Sequence, residues 1–177
     1  KKNKKSIESG VFKSNFWPEI PELLKKNELQ SNWIHMYSKT RDLPNAKKAR
    51  DIINKYNSSK NGLETHTSIY SFLNTLIICK VMINLIRLMF VKIKIQKTLI
   101  ISSGAIWPFI VSDFHESLTG INATRNLLYM ELFKKALSDL SSKQNKGFYL
   151  QENQGWESTF IYSWKKSRHK SNLFAIL

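Results

Sequence analysis

A chain of 177 residues with 42% hydrophobic residues is long enough to form one globular domain with a sizeable core. Its charged fraction of 23% is too low for a disordered chain, and its single cysteine, Cys79, excludes disulfide scaffolds and cysteine-based metal sites and indicates a reducing compartment. The net charge of +15 favours polyanionic partners, but lysine-rich surfaces also follow from an AT-rich genome, so charge alone identifies no partner.

The first third of the chain predicts two short helices and a strand. Residues 1–16 are basic and irregular, and we expect a connecting segment there. Residues 17–26 place prolines first, then acids, then lysines, which predicts a helix whose dipole is matched at both ends. The apolar, aromatic run 32–37 predicts a buried strand. Asn45 is expected to cap a helix over 46–56.

Apolar residues then recur at alternating steps of three and four, which predicts one long amphipathic helix over 68–97. Its polar residues share one narrow stripe: Lys80, Asn84, Arg87 and Lys94. We favour a core helix with one hydrated stripe; the alternative is a basic helix on an anionic membrane surface. A membrane span over 73–91 is disfavoured, because Lys80 and Arg87 would each cost roughly 2.5–3.5 kcal/mol at the bilayer centre.

The following segments lead to a second helix. Residues 98–102 fit either a short strand or the end of the long helix. Residues 106–117 are rich in aromatic side chains and are expected to form a connection. Residues 121–140 carry an apolar face at helical spacing and predict a helix.

The end of the chain, 147–177, predicts a β-α-β unit. Its strands are expected near 147–152 and 172–177. Together with the strand at 32–37 they predict a single α/β domain over 1–177, with a Rossmann-like, mainly parallel sheet and long flanking helices.

The turn after the first strand of this unit carries four side chains able to make directed hydrogen bonds: Gln151, Glu152, Asn153 and Gln154. In an open α/β sheet, ligands bind at the carboxyl ends of the strands. Glu152 could hold a hydroxyl or act as a general base there. Alternatively, Glu152 or Asn153 caps the next helix. Trp156 could stack on a sugar ring, or pack in the core with Phe160 and Trp164.

Several motifs are absent from the sequence. It has no GxGxxG, GxxxxGK[ST], GxSxG, HExxH or CxxC, so these patterns support no dinucleotide loop, phosphate loop, nucleophile elbow or zinc site. The four histidines are scattered and are expected to be structural or exposed: His35, His66, His115 and His169. We therefore predict no metal site. Nucleic-acid binding is disfavoured, because the lysines are spread along the chain rather than interleaved with aromatics on one face. Those near 165–170 suit the end of a helix.

Four blocks of sequence resemble a family of bacterial surface carbohydrate biosynthesis proteins, encoded beside O-antigen and capsule genes. The blocks are Asn32-Trp-Ile-His-Met-Tyr37, Pro44-Asn-Ala-Lys-Lys-Ala-Arg50, Tyr149-Leu-Gln-Glu-Asn-Gln-Gly-Trp-Glu157 and Tyr162-Ser-Trp-Lys-Lys166. The resemblance implies a glycosyltransferase of the two-Rossmann-domain (GT-B) kind, acting in capsule or lipopolysaccharide O-antigen synthesis. It also implies that this chain is an incomplete N-terminal domain that faces the glycan acceptor and is inactive alone. The nucleotide-sugar donor would be bound mainly by a C-terminal half beyond this chain, and no other cofactor is expected.

Because this turn both follows a predicted strand and carries the block that resembles the family, we expect Glu152 to be the catalytic residue that orients or deprotonates an acceptor hydroxyl. Gln151, Asn153 and Gln154 would bind sugar hydroxyls, and Trp156 would pack beneath them. We expect a cytoplasmic protein with peripheral contact at the inner face of the membrane through 69–97. The alternative is a non-catalytic basic module that docks on anionic membrane or nucleic acid.

Overall fold

The structure is a computed structural model that describes residues 9–14, 16–58, 62–102, 105–140, 144–169 and 171–176. Its helices are α1 (Ile20–Lys26), α2 (Ala46–Asn57), α3 (Thr75–Ser102), α4 (Trp107–Thr119), α5 (Ile121–Asp139) and α6 (Gly155–Lys166). Its strands are β1 (Ser31–His35), β2 (Glu64–Ser68), β3 (Lys146–Leu150) and β4 (Asn172–Ile176). The chain divides into two compact units, Lys1–Ser71 and Phe72–Leu177.

The first unit is built on a β1-α2-β2 arrangement. The two strands pair in parallel, from Ser31 beside Glu64 to His35 beside Ser68. The Asn45 side chain accepts a hydrogen bond from the backbone N–H of Lys48 at 2.9 Å, so the predicted cap of α2 is confirmed. The predicted strand at 32–37 is also confirmed, although it ends at His35 and its residues are half-buried or exposed rather than buried. Strand β2 was not predicted, because all five of its residues are polar.

Aromatic rings form the core of this unit. The Phe12 ring centroid lies 4.7 Å from those of Trp33 and His66, and 5.5 Å from those of His35 and Tyr56. Phe12 belongs to the segment 1–16 that was expected to be an irregular connection. In the described residues 9–14 and 16 the segment forms no strand, and Phe12 contributes to this aromatic cluster. Residues 1–8 and 15 lie outside the described residues.

The second unit begins with the long helix, whose predicted start was wrong. Helix α3 begins at Thr75 rather than at 68, because β2 extends to Ser68 and a single 3₁₀ turn, Ile69–Phe72, follows it. The Asn74 side chain then accepts from the backbone N–H of Ile77 at 3.0 Å and fixes the start of the helix. Residues 98–102 belong to α3, not to a strand. Within the described part of the chain, no helix combines the length and apolarity needed to cross a bilayer.

The segment 106–117 is helical, so its prediction as a connection was wrong. Helix α4 has a proline in its first turn, where the missing N–H is not needed, and Gly120 follows its last residue. The predicted helix over 121–140 is confirmed as α5. Five apolar residues of α5 are buried and form much of the core: Ala123, Leu132, Phe133, Ala136 and Leu137.

The predicted terminal β-α-β unit is confirmed. Strands β3 and β4 pair in parallel, from Lys146 beside Asn172 to Leu150 beside Ile176. Gly147 of β3 lies in tight contact with α6 and β4: a Cβ atom there would stand 2.7 Å from side-chain atoms of both Leu173 and Trp164. Only glycine therefore permits this packing. Leu177, the last residue of the predicted strand, lies outside the described residues.

The fold class is mixed α/β with parallel strand pairing, as predicted. In the ranges that the structure describes, however, the strands form two separate two-stranded sheets, β1-β2 and β3-β4, rather than one long sheet. Each strand has only five residues, and each pair is joined through its own helix. The chain forms two compact units. This division does not test whether they belong to one domain, so the single domain over 1–177 stays a prediction.

Candidate functional site

The predicted polar turn directly follows the carboxyl end of β3. The backbone N–H of Gln151 donates to the carbonyl oxygen of Ile176 at 2.9 Å, so strand pairing continues one residue beyond β3. Helix α6 follows, with Gln154 at its N-cap. Only Glu152 and Asn153 therefore lie between the last paired strand residue and the N-cap.

A buried carboxylate, that of Glu157, holds the backbone of this turn. Glu157 is 6% exposed, and its Oε1 accepts hydrogen bonds from the backbone N–H groups of Glu152 at 2.9 Å and Gln154 at 2.6 Å. A carboxylate in the first turn of a helix is also favoured by the helix dipole. Glu157 was not among the predicted site residues. The signal that could have found it is its position three residues after the N-cap, where glutamate binds the N-cap backbone.

The four polar side chains of the turn are all exposed: Gln151, Glu152, Asn153 and Gln154. Among the described residues, none forms a hydrogen bond or an ion pair with the Glu152 carboxylate. Because the N-cap is Gln154, the alternative in which Glu152 or Asn153 caps α6 is wrong. Asn153 has a φ of 57°, in the left-handed region that asparagine tolerates better than most residues. The turn therefore presents its side chains from a sharply bent, anchored backbone.

Trp156 joins this turn to the core below it. Its side chain is half-buried, and its ring centroid lies 6.3 Å from that of Phe133 and 6.5 Å from that of Tyr149. Phe160 and Trp164, further along α6, are buried. The helical stripe predicted for these three aromatics is therefore a packing face, and Trp156 is its most exposed member.

Asn126 of α5 is a second residue near the turn that sequence analysis missed. A Cβ atom built on Gly155 would stand 2.7 Å from both the Oδ1 and Nδ2 atoms of Asn126. The absence of a side chain at 155 thus lets a polar amide from α5 approach the first residue of α6. A glycine directly after the polar turn was the available signal, but no pattern in the sequence identifies its neighbour.

A cavity of about 350 Å³ opens between α5 and α6, away from the predicted site. The described residues that line it are Lys134, Leu137, Ser138, Ser163, Lys166, Ser167 and Arg168, and none of the five predicted site residues is among them. The Lys134 ammonium pairs with Glu131 at 2.7 Å. The C-terminal end of α6 carries the negative end of the helix dipole and also disfavours an anion at this position. These contacts argue against a phosphate site in the cavity.

Three of the four histidines bond through their ring nitrogens: His35, His66 and His169. His35 Nε2 lies 3.0 Å from His66 Nδ1, and burial lowers the pKa of each ring from 6.5 to about 4, with the neighbouring ring adding to the effect at His66. His66 Nε2 faces the Glu64 carboxylate at 3.7 Å, which favours a proton on that nitrogen and makes His35 the donor between the two rings.

The third, His169, is buried. Its Nδ1 accepts from the backbone N–H of Gln144 at 2.9 Å, and its Nε2 lies 2.9 Å from the carbonyl oxygen of Leu137. Because a carbonyl only accepts, Nε2 carries the proton and both ring nitrogens are occupied. The structural role expected for these histidines agrees with these contacts.

In the part of the chain that the structure describes, no three histidine, cysteine or acidic side chains come together as metal ligands. No family model, curated protein or solved structure matches the chain.

Proposed function

We propose that the chain is the acceptor-facing part of a glycosyltransferase of bacterial surface polysaccharide synthesis, and that the turn Gln151–Gln154 contacts the acceptor sugar. The observation that carries the proposal is the geometry of this turn, in which exposed polar side chains stand on an anchored backbone at the carboxyl end of a parallel strand. That end of a parallel sheet is where α/β enzymes hold their ligands.

The resemblance of Tyr149–Glu157 to the carbohydrate biosynthesis family supports the same assignment. In the proposed enzyme, the β-α-β units contribute to a Rossmann-like N-terminal domain of the GT-B kind. A second domain holds most of the nucleotide-sugar donor.

Glu152 is the proposed general base. Its exposed carboxylate takes the proton of an acceptor hydroxyl as that oxygen attacks the anomeric carbon of the donor. The bond from the anomeric carbon to the nucleoside diphosphate breaks, and the diphosphate leaves with the electron pair. The amides of Gln151, Asn153 and Gln154 bind neighbouring hydroxyls and orient the acceptor. Trp156 supports the turn from below.

The test is sugar transfer by the complete gene product, measured as nucleoside diphosphate released from a panel of nucleotide sugars in the presence of glycan acceptors. General bases contribute about 100- to 10,000-fold to a rate, so we expect Glu152→Gln to lower kcat at least 100-fold with little change in melting temperature. Glu22→Gln is the matched control, because Glu22 is exposed and belongs to the other compact unit.

Two results would contradict the proposal. Transfer by Glu152→Gln within threefold of the unaltered protein would remove Glu152 as the base. An absence of diphosphate release with every donor and acceptor pair would remove the glycosyltransferase assignment itself.

A further inference from the structure

One side of helix α3 is a long, exposed apolar surface. Eight of its large apolar side chains are half exposed or more: Leu76, Ile78, Met82, Ile83, Ile86, Met89, Phe90 and Ile93. Leu76 and Phe90 are the most exposed of them, at 72% and 67%. Contiguous exposed apolar patches of more than a few hundred Å² are rare on monomeric proteins, and these eight side chains lie on one side of a single helix. A surface of this size indicates an interaction site.

The opposite side of α3 is packed against its own unit. Ile77 and Val81 are buried, and the Asn84 amide donates to Glu131 of α5 at 3.4 Å. Further along, the Lys92 ammonium lies 3.4 Å from the Thr119 hydroxyl at the end of α4. The helix is thus held by one side, and the eight exposed residues, which we call the outward face, lie on the other.

A row of cations borders the outward face. Lys80, Arg87 and Lys94 are exposed and recur every seven residues, so they line up along the helix. Each lies four residues after an exposed apolar residue, namely Leu76, Ile83 or Phe90. Residues four apart are neighbours on a helix surface, so each cation stands beside an apolar side chain. This pairing is typical of helices that lie in a membrane interface, where cations reach the headgroups while apolar groups insert.

The charge along this part of the chain has a single sign. The sequence contains no aspartate or glutamate between Glu64 and Asp113, whereas α3 alone carries Lys80, Arg87, Lys92, Lys94 and Lys97. The net charge of the chain is +15. Helix α3 therefore carries no acidic side chain that would repel an anionic surface.

We infer that α3 docks on an anionic lipid bilayer, with its axis along the surface and its outward face in the boundary between headgroups and acyl chains. At 1.5 Å per residue, a 28-residue helix is about 42 Å long. A bilayer offers an apolar layer and a phosphate layer side by side over that whole length, and this complements both the outward face and the row of cations. The inference does not depend on the proposed glycosyltransferase activity.

Cys79 provides a direct probe of this docking. It is the only cysteine of the chain, is exposed, and lies within the outward face, three residues after Leu76 and four before Ile83. An environment-sensitive fluorophore on Cys79 is expected to shift to shorter wavelength with vesicles of phosphatidylglycerol and phosphatidylcholine, and to be quenched by spin-labelled acyl chains. The same fluorophore placed on α2, in a Cys79→Ser and Lys47→Cys variant, is expected to report neither change.

Charge and apolar contributions are separated by two sets of variants. At about fivefold per cation near an anionic surface, the triple variant Lys80→Gln, Arg87→Gln and Lys94→Gln should partition about 100-fold more weakly. The control makes the same change in charge on α2, with Lys47→Gln, Lys48→Gln and Arg50→Gln, and should change partitioning less than tenfold. Ile86→Ser with Phe90→Ser should also abolish the fluorescence shift, while circular dichroism shows the helices retained.

Three outcomes would overturn the inference. The first is no fluorescence shift with anionic vesicles at physiological salt. The second is equal partitioning of the triple variant and its control, which would assign binding to net charge alone. The third is a stable dimer in sedimentation experiments that Phe90→Ser dissociates, since a second copy would then cover the outward face.

Discussion

Replacing Glu157 tests how the polar turn is held. The Glu157→Ala variant removes the carboxylate oxygen that accepts from two backbone N–H groups, those of Glu152 and Gln154. Hydrogen bonds to a charged group contribute about 1.5–3 kcal/mol each, but both donors lie in an exposed turn where water replaces part of the loss. We therefore expect a decrease of about 2 kcal/mol in the free energy of unfolding.

The melting temperature provides the assay. For a unit of about 100 residues, a loss of about 2 kcal/mol lowers the melting temperature by about 10 °C. Near-ultraviolet circular dichroism follows the packing of Trp156 and Trp164, which lie on the same helix as Glu157. Glu157→Gln keeps one oxygen acceptor without the charge, so an intermediate loss is expected.

Glu152→Ala is the matched control in the same turn. Its side chain is exposed, so its removal should change the free energy of unfolding by less than about 0.5 kcal/mol. The division of roles proposed here assigns backbone support to Glu157 and acceptor chemistry to Glu152. Equal destabilisation by the two alanine variants, or a decrease below 2 °C for Glu157→Ala, would refute it.

Three further predictions concern other contacts. The folded-state pKa values of His35 and His66, about 4, lie below the ordinary value of 6.5, so the unfolded chain binds more protons between these pH values and stability falls as the pH falls. Between pH 7 and pH 4.5 the loss is about 2 kcal/mol for one ring. Hydrogen exchange of the β1 and β2 amides at these two pH values, corrected for intrinsic rates, measures this loss; unchanged protection would contradict it. Asn57→Ala should lower the stability of the first unit by about 1–3 kcal/mol. The reason is that the Asn57 amide both donates to the carbonyl oxygen of His66 and accepts from its N–H, each at 2.8 Å. Urea unfolding, followed by hydrogen exchange of the β1 and β2 amides, tests this. Gly155→Ala should cost about 1–3 kcal/mol by crowding Asn126, and the cost should vanish in an Asn126→Ala background; an unchanged cost in the double-mutant cycle would show that Asn126 is not its cause.

The elements predicted correctly are those whose signals are local. The Asn45 cap, the helix over 121–140 and the terminal β-α-β unit each depend on residues close together in sequence. Strand β2 was missed because its side chains are polar, and its pairing with β1 depends on residues about thirty positions away. The start of α3 was placed too early, because apolar Ile69 and Phe72 continue the helical spacing although they form a 3₁₀ turn.

In the candidate site, too, the features set by local sequence could be predicted and those set by tertiary packing could not. The polar turn and its position after β3 could be predicted, because a strand followed by a polar cluster and a helix is a local pattern. The approach of Asn126 to Gly155 could not be predicted, because it depends on how α5 packs against α6. The exposed apolar face of α3 was also ambiguous, since a buried helix and an interfacial helix share one sequence pattern.

The side chain of Asn57 bonds to backbone groups of β2 that could otherwise pair with a strand of another molecule. In a parallel pair, the N–H and C=O groups of one residue point to the same side of its strand. Those of His66 bond to the Asn57 amide, so they belong to the margin of β2 that faces away from β1. A strand that added to this edge of β2 would pair with the same two groups. The Asn57 amide already makes the two hydrogen bonds that such a strand would make. Asn57 therefore occupies the two backbone groups of His66 through which a strand of another molecule could pair with β2, and its replacement by alanine would leave them without this partner.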